Sequence, residues 1–289
     1  MSVSTISVGR SQMPSVTTHL RRLPPLRLLA AFGFMIFLLV SAVLPDLVCH
    51  TDPYAIAPRN AFLPPGWTHP FGTDQSGRDI LTRVIHGTRQ SLLVGLGAVA
   101  ISLSSGILLG LVGGLGGVWL QRAVGGLIDV LFSFPVLLLA LLFSASFGHG
   151  VWPLALAIGI ATAPGYGRMV FAQVLSVRRS AYVEAARALG HAPLAIIWRH
   201  VLPNAIRPLV VTATMGIGQT IVWASGLSFL GLGAPPPAAE WGTMMSMGRD
   251  FIADAWWLTF FPGLFIMLTV LSTTAAGRFL QRRLEGRAA

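Results

Sequence analysis

Six stretches of this 289-residue chain run for close to 20 residues with almost no charge, about the length a helix needs to cross the hydrocarbon layer of a bilayer. They lie near Leu28 to Leu44, Ser91 to Gly113, Ala123 to Phe147, Trp152 to Phe171, Leu209 to Leu232 and Trp256 to Gly277. Inside lipid every backbone amide and carbonyl must be satisfied within its own segment, so such runs are helices. Composition points the same way: 54% of residues are hydrophobic and 10% charged, where a soluble domain carries about a quarter charged. The expectation is an all-α membrane protein with six transmembrane helices. The first run is slightly short, the third carries Asp129, and Pro164 is expected to kink the fourth.

Orientation is read from the arginines, because loops on the cytoplasmic side hold an excess of positive charge. With the N-terminus inside, 15 arginines fall inside and five outside (Arg59, Arg78, Arg83, Arg89, Arg249). The inside set includes Arg122, six around the fourth connection from Arg168 to Arg207, and four at the end of the chain. Both termini are therefore expected in the cytoplasm. The net charge of +10 is accounted for by topology and by anionic lipid head groups, and no basic face with interleaved aromatics suggests nucleic acid.

Every basic residue is an arginine. Without lysine no Gly-x-x-x-x-Gly-Lys-Ser/Thr phosphate loop can exist, so ATP hydrolysis would have to come from another subunit. The histidines show no metal-ligand spacing, Cys49 is alone, and no nucleophile-base arrangement stands out. The chain is not expected to be an enzyme or to bind a cofactor.

Along the chain, residues 1–27 read as a cytoplasmic, partly disordered tail. Residues 28–88 read as the first transmembrane helix and an external loop, and residues 89–289 as the membrane core, with a polar loop over 173–207. The external loop begins irregularly, rich in proline and glycine. Near its end Ile80, Leu81, Val84, Ile85 and Thr88 share one helical face, opposite Arg78, Asp79, Thr82, Arg83, His86 and Arg89. That pattern predicts an amphipathic helix in the outer interface, with an Asp79–Arg83 pair. In the second run Gly106, Gly110 and Gly114 stand four apart, a spacing that lets two helices approach closely in lipid. Gly116 and Gly117 suit a flexible helix end. After the fifth run, Pro235 to Pro237 precede a short helix expected from Trp241 to Ile252.

The polar loop carries the strongest signals. Ser180 is placed to cap a helix over Tyr182 to Leu189, with Gly190 in a left-handed conformation to stop it. Pro193 is placed to start a second helix that ends before Pro203. Ala185, Ala186 and Ala188 would make a low-relief surface for a partner's groove, rimmed by Glu184 and Arg187. An interfacial hairpin lying on lipid through Leu194, Ile196, Ile197 and Trp198 is the other physical reading.

Glu184-Ala185-Ala186, three residues, Gly190, nine residues, His200, one residue and Leu202-Pro203 resembles the "EAA loop" of permease subunits of binding-protein-dependent ABC importers. His200 stands where isoleucine is usual. His69 to Leu92, Ile128 to Pro135 and Ser228 to Met245 are similar to the second permease of the dipeptide, oligopeptide and nickel importers, so the resemblance spans about Arg21 to Arg283. It implies type I permease architecture with a cytoplasmic coupling hairpin between helices 4 and 5. It implies ATPase coupling through Glu184, Ala185, Ala186, Arg187, Gly190, Leu202 and Pro203. The implied partners are a homologous permease, two ATP-binding subunits that hold ATP and Mg, and an external solute-binding protein, in the bacterial inner membrane. Peptides or similar small solutes are the implied cargo. Asp129, seven residues after Arg122, is expected as a satisfied interfacial carboxylate, and Asp129 and Ser133 are the candidates for the translocation path. The rival class is a secondary transporter or channel independent of an ATPase, which would be expected to show intramembrane ionisable residues or an internal repeat.

Overall fold

The structure, a computed structural model, describes residues 26–284. The expected tail up to Pro25, with Arg10, Arg21 and Arg22, and the terminal Arg287 lie outside the described residues. The described chain is helical, with a single isolated bridge between Thr73 and Asp79 and no strand. Beside a single helical turn at Pro45–Val48, its helices are α1 (Leu26–Val43), α2 (Ile80–Leu115), α3 (Val118–Ser133), α4 (Val136–Phe147), α5 (Val151–Arg178), α6 (Ala181–Ala188), α7 (Pro193–Ile196), α8 (Leu202–Phe229), α9 (Trp241–Gly248) and α10 (Trp257–Leu284). Five helices are long and apolar enough to cross a membrane, counting α7 and α8 as one, and α3 with α4 supplies a sixth, broken crossing.

The third crossing departs from the straight helix expected over Ala123 to Phe147. α3 and α4 meet at 93°, and the break falls at Phe134-Pro135. A proline drives the residue before it out of the helical region, and Phe134 is extended, with φ −91° and ψ 133°. The cause stands in the sequence as Pro135. Pro164, by contrast, lies within α5, which continues through it.

The spine of the bundle is the contact between α2 and α5. A Cβ on Gly106 would stand 2.6 Å from Tyr166 Cβ, one on Gly114 would stand 2.6 Å from Val174 Cγ1, and one on Gly110 would meet Val170 Cβ. Tyr166, Val170 and Val174 are themselves four apart, so a ridge of one helix fills a glycine groove of the other. Ser102 Oγ donates to the Gly159 carbonyl at 2.8 Å across the same seam. Gly116 and Gly117 end α2 and begin the turn into α3, and a Cβ on Gly117 would meet nothing within 4 Å. On the other side of α2, Thr220 Oγ1 of α8 donates to the Gly95 carbonyl at 3.0 Å. α1 packs peripherally on α10, with Phe34 and Phe37 against Phe265.

At the far end of the bundle from Leu26 and Leu284, residues 49–79 form an irregular loop with one 3-10 turn, Pro58–Asn60. The expected interfacial helix does not exist as a separate element. Residues 80–90 are the first turns of α2, which spans about 54 Å at 1.5 Å per residue, and of their polar face Thr82 and Arg83 are buried, His86 is half-buried and Arg89 stays exposed. Arg83 is 1% exposed. It donates to the carbonyls of Pro53 (3.1 Å), Pro237 and Ala238 (both 3.2 Å), and Asp74 accepts from Arg78 Nε at 2.6 Å while lying 3.7 Å from Arg83 Nε. The expected Asp79–Arg83 pair is not made, because Asp79 caps α2 by accepting from the Thr82 amide at 2.8 Å and also holds His69 at 2.9 Å. Two indoles complete the closure: Trp241 Nε1 donates to the Val84 carbonyl at 2.9 Å and Trp257 Nε1 to that of Thr73 at 3.1 Å. The short helix after the triple proline runs from Trp241 to Gly248, with a 3-10 turn to Phe251. Its free amides at Gly242 and Thr243 both donate to the buried Glu240 carboxylate at 2.9 Å.

The glycine groove gives a direct test. Gly110→Leu would drive its side chain into Val170 and the Phe171 amide 2.8 Å away, an overpacking that costs about 1–3 kcal/mol. A clear drop in the thermal unfolding midpoint in detergent is expected for this variant, with Gly117→Ala unchanged. Equal midpoints for Gly110→Leu and the parent would show that the groove does not set the packing.

Candidate functional site

The polar loop folds as a hairpin seated against the bundle. After α5, Ser180 is extended and its carbonyl accepts from the amides of Val183 at 3.0 Å and Glu184 at 3.1 Å. The expected side-chain cap is absent, because Ser180 Oγ turns back and donates to the Val177 carbonyl at 2.6 Å. α6 is stopped as its sequence suggests. Gly190 has φ +77°, the His191 amide reaches the Ala186 carbonyl at 3.1 Å, and the Gly190 amide reaches that of Arg187 at 3.0 Å. This pair of bonds is the Schellman arrangement, which satisfies the last carbonyls of a helix only when the residue after its end is left-handed.

The second arm corrects the expectation of a helix ending before Pro203. α7 passes through a five-residue π-helical turn, Ile197–Val201, directly into α8. In that turn the Leu202 amide bonds to the Ile197 carbonyl, five residues back. Pro203 follows this widened turn as the second residue of α8, and the helix continues past it. The hairpin is thus a rigid extension of the fifth crossing. Leu202 is half-buried and Pro203 exposed at this junction.

Two faces of α6 divide the work. Val183 and Ala186 point inward, at 0% and 5% exposure, and pack in one apolar cluster with Val174, Val177, Ile196, Val201 and Ala205. Ala186 therefore anchors the hairpin instead of contributing, with Ala185 and Ala188, to an outer low-relief surface as expected. Glu184, Ala185, Arg187 and Ala188 remain exposed. They are joined by Leu189 (77% exposed), Leu194 (65%) and Trp198 (62%), which form an apolar crown around the turn. His200 lies between the rings of Tyr182 and His191, with centroids 6.1 and 6.4 Å away, and so ties the two arms together. At the base of the hairpin Arg178 Nη1 donates to the Gly114 carbonyl at 2.5 Å, so the end of the glycine groove and the end of α5 are fastened at the same place.

A second constellation lies at the α3–α4 break. Asp129 accepts a hydrogen bond from Arg168 Nη2, and the Arg168 guanidinium sits 4.4 Å from the centre of the Phe132 ring. Asp129 is satisfied, but not beside Arg122, which lies against Trp119 instead. Arg168 is not a loop arginine as expected: it stands within α5, ten residues before Arg178, which is about 15 Å along the helix. The Asp129 and Arg168 side chains are 71% and 50% exposed in this chain. Ser133 Oγ donates to its own helix, at the Asp129 carbonyl 3.0 Å away. Among the described residues no group of three or more His, Cys, Asp or Glu side chains is placed to hold a metal ion.

Comparison with known proteins places this geometry. Residues 106–286 match the family described as binding-protein-dependent transport system inner membrane component. The dipeptide transport system permease protein DppC of Alkalihalophilus pseudofirmus is 40% identical over 261 residues, covering 89% of this chain and 85% of that protein. The di/tripeptide transport system permease protein DppC of Pseudomonas aeruginosa is 39% identical over 258 residues, covering 87% and 85%. Among solved structures, the inward-facing MetNI methionine ABC transporter is similar in fold with a TM-score of 0.60, covering 73% of this chain and 98% of that one at 16% identity.

The division of α6 into two faces is testable by proteolysis. Ala186→Asp should unseat the hairpin, since a buried unpaired carboxylate costs several kcal/mol, and trypsin should then cut at Arg187 and Arg199 far faster. Ala185→Asp, on the exposed face, should leave cleavage unchanged. Equal cleavage of the two variants would contradict the assignment of Ala186 as the anchor.

Proposed function

The chain belongs to the binding-protein-dependent transport system inner membrane components, and from that premise we propose that it forms one half of an ATP-driven import path for peptides. It would pair with a related permease, with two ATP-binding subunits on the cytoplasmic face that hold ATP and Mg, and with a solute-binding protein outside. The peptide cargo is supported by the names of the dipeptide and di/tripeptide relatives. Six crossings and the arginine distribution support a cytoplasmic location for both ends.

The observation that carries the reading is the hairpin of residues 180–203. Force from a neighbouring subunit is transmitted only through packed elements, and this hairpin is packed at its base and continuous with α8 through its second arm. Glu184, Ala185, Arg187 and Gly190 present outward, with Leu202 and Pro203 at the hinge into α8. ATP-driven closure of the ATPase pair would draw the two hairpins of the permease pair together and tilt the helices toward an outward-open state. Each ligand shifts that equilibrium only by its differential affinity for the two states.

Gly190→Val tests the coupling. A Cβ there meets nothing within 4 Å, so the penalty is conformational, about 1–2 kcal/mol for forcing a side chain into the left-handed region. Uptake in vesicles should fall while membrane insertion and ATP hydrolysis persist, and Glu184→Lys should weaken co-purification of the ATPase subunits. Full transport by Gly190→Val, with unchanged co-purification for Glu184→Lys, would remove the hairpin from the coupling step.

We assign the Asp129–Arg168 pair to the translocation path. Ionisable groups at such depth in a membrane protein face a partner or a watery cavity instead of lipid, and both are open on this chain. Arg168 could take the carboxylate end of a peptide in two-pronged fashion while Asp129 takes the amino end. Arg168→Gln should reduce uptake of a free dipeptide about tenfold or more, as expected for losing a charge-assisted contact, with stimulated ATP hydrolysis retained. Ser133→Ala, whose hydroxyl is bonded within its own helix, should transport normally. Wild-type uptake by Arg168→Gln would exclude the pair from cargo contact.

A further inference from the structure

A cavity of about 480 Å³ opens between the first turn of α1 and the last turns of α10. Its apolar floor is the lining contributed by Leu28, Leu271 and Phe279, and Arg27, Arg278 and Arg282 line it as well. Leu271, Arg278 and Arg282 share one face of α10, because they are spaced by seven and four residues. Like charges four apart on a helix destabilise it, and Arg27 brings a third guanidinium from the opposing helix. Among the described residues no carboxylate lies within ion-pair distance of any of the three. The neighbouring Arg283 is engaged elsewhere, with its guanidinium 4.7 Å from the centre of the Phe279 ring.

Three guanidiniums that line one cavity, with no acid beside them among the described residues, suit an anion, and their planar donor forks match phosphate oxygens in pairs. The apolar floor selects among phosphates. A free phosphate would leave Leu28, Leu271 and Phe279 wet, whereas a phospholipid brings an acyl chain to cover them. We propose that this cavity binds an anionic phospholipid, with its phosphate held by Arg27, Arg278 and Arg282 and one chain lying along the floor, and that the lipid clamps α1 onto α10. Basic pockets between helices at the cytoplasmic surface are suited to such head groups. The proposal rests on the orientation given above, which puts both helix ends in the cytoplasmic leaflet, and is independent of the cargo.

The test uses the assembled transporter, reconstituted in vesicles of phosphatidylcholine and phosphatidylglycerol in equal parts, re-extracted, and weighed by native mass spectrometry. Phosphatidylglycerol should be retained by the parent and reduced on the order of tenfold by Arg278→Gln with Arg282→Gln, from the stabilisation each arginine contributes near anionic lipid. Arg122→Gln with Arg199→Gln removes the same charge elsewhere and should retain it. If the first double variant fails to assemble, Arg27→Gln alone, on the opposing helix, reads the same site. Equal retention by site and control variants would overturn the proposal, as would displacement of the lipid by excess inorganic phosphate. The orientation is read separately by replacing the fully exposed Trp67 with cysteine in a Cys49→Ala background. An impermeant maleimide should label it from outside the cell, and labelling only from the inside would overturn the orientation while leaving the lipid count interpretable.

Discussion

The contact that the rest of the molecule depends on is the closure of α2 on α5, where three glycines four residues apart leave a groove that Tyr166, Val170 and Val174 fill. In lipid there is no hydrophobic gain from pressing two apolar helices together, so close backbone approach and dispersion must hold them. That closure fixes where α5 ends. Arg178, bonded to the Gly114 carbonyl, then fixes where the hairpin begins. The apolar cluster from Tyr166 to Leu209 continues without interruption from the groove into the hairpin. A push on the hairpin is therefore a push on α5 and α8 together.

The other end of the bundle is held by different physics. There Asp74, Arg78 and Arg83 are almost fully buried in a loop with little regular structure of its own. Such charges are tolerated because each is paired or bonded to carbonyls. Arg83 gathers carbonyls from Pro53, Pro237 and Ala238, segments far apart in the chain, and so welds the loop of residues 49–79 to the one before α9. This end of the bundle is thus tied together by buried polar bonds between segments distant in sequence.

Much of this was legible in the residues. The crossings, the glycine groove, the left-handed Gly190 and the loop's hairpin form follow from periodicity and from what glycine and proline permit. The departures share a cause: a local pattern does not contain the tertiary partner that completes it. The polar face from Arg78 to Arg83 looks like a surface face until a loop supplies the acceptors that bury its arginines. Asp79 and Arg83 have ideal helix spacing, yet Asp79 is committed to capping and Arg83 to distant carbonyls. Ala186 is indistinguishable from Ala185 in composition, and only the packing of α6 separates anchor from surface. Pro203 ends a helix by rule, but a π-helical turn absorbs it. Arg168 reads as a topology signal until Asp129 is found beside it. Pro135, by contrast, was a break signal already present within the third run.

Family membership and fold place this chain among importer permeases, and the role proposed for its hairpin is to take mechanical work from a separate subunit. That claim is tested most directly by crosslinking. With Leu189, the most exposed apolar residue of the turn, replaced by cysteine, a short bifunctional reagent should join the hairpin to an ATP-binding subunit of the assembled transporter, with and without nucleotide. A hairpin that crosslinks to no ATP-binding subunit in any nucleotide state, while the assembly remains active, would contradict the account.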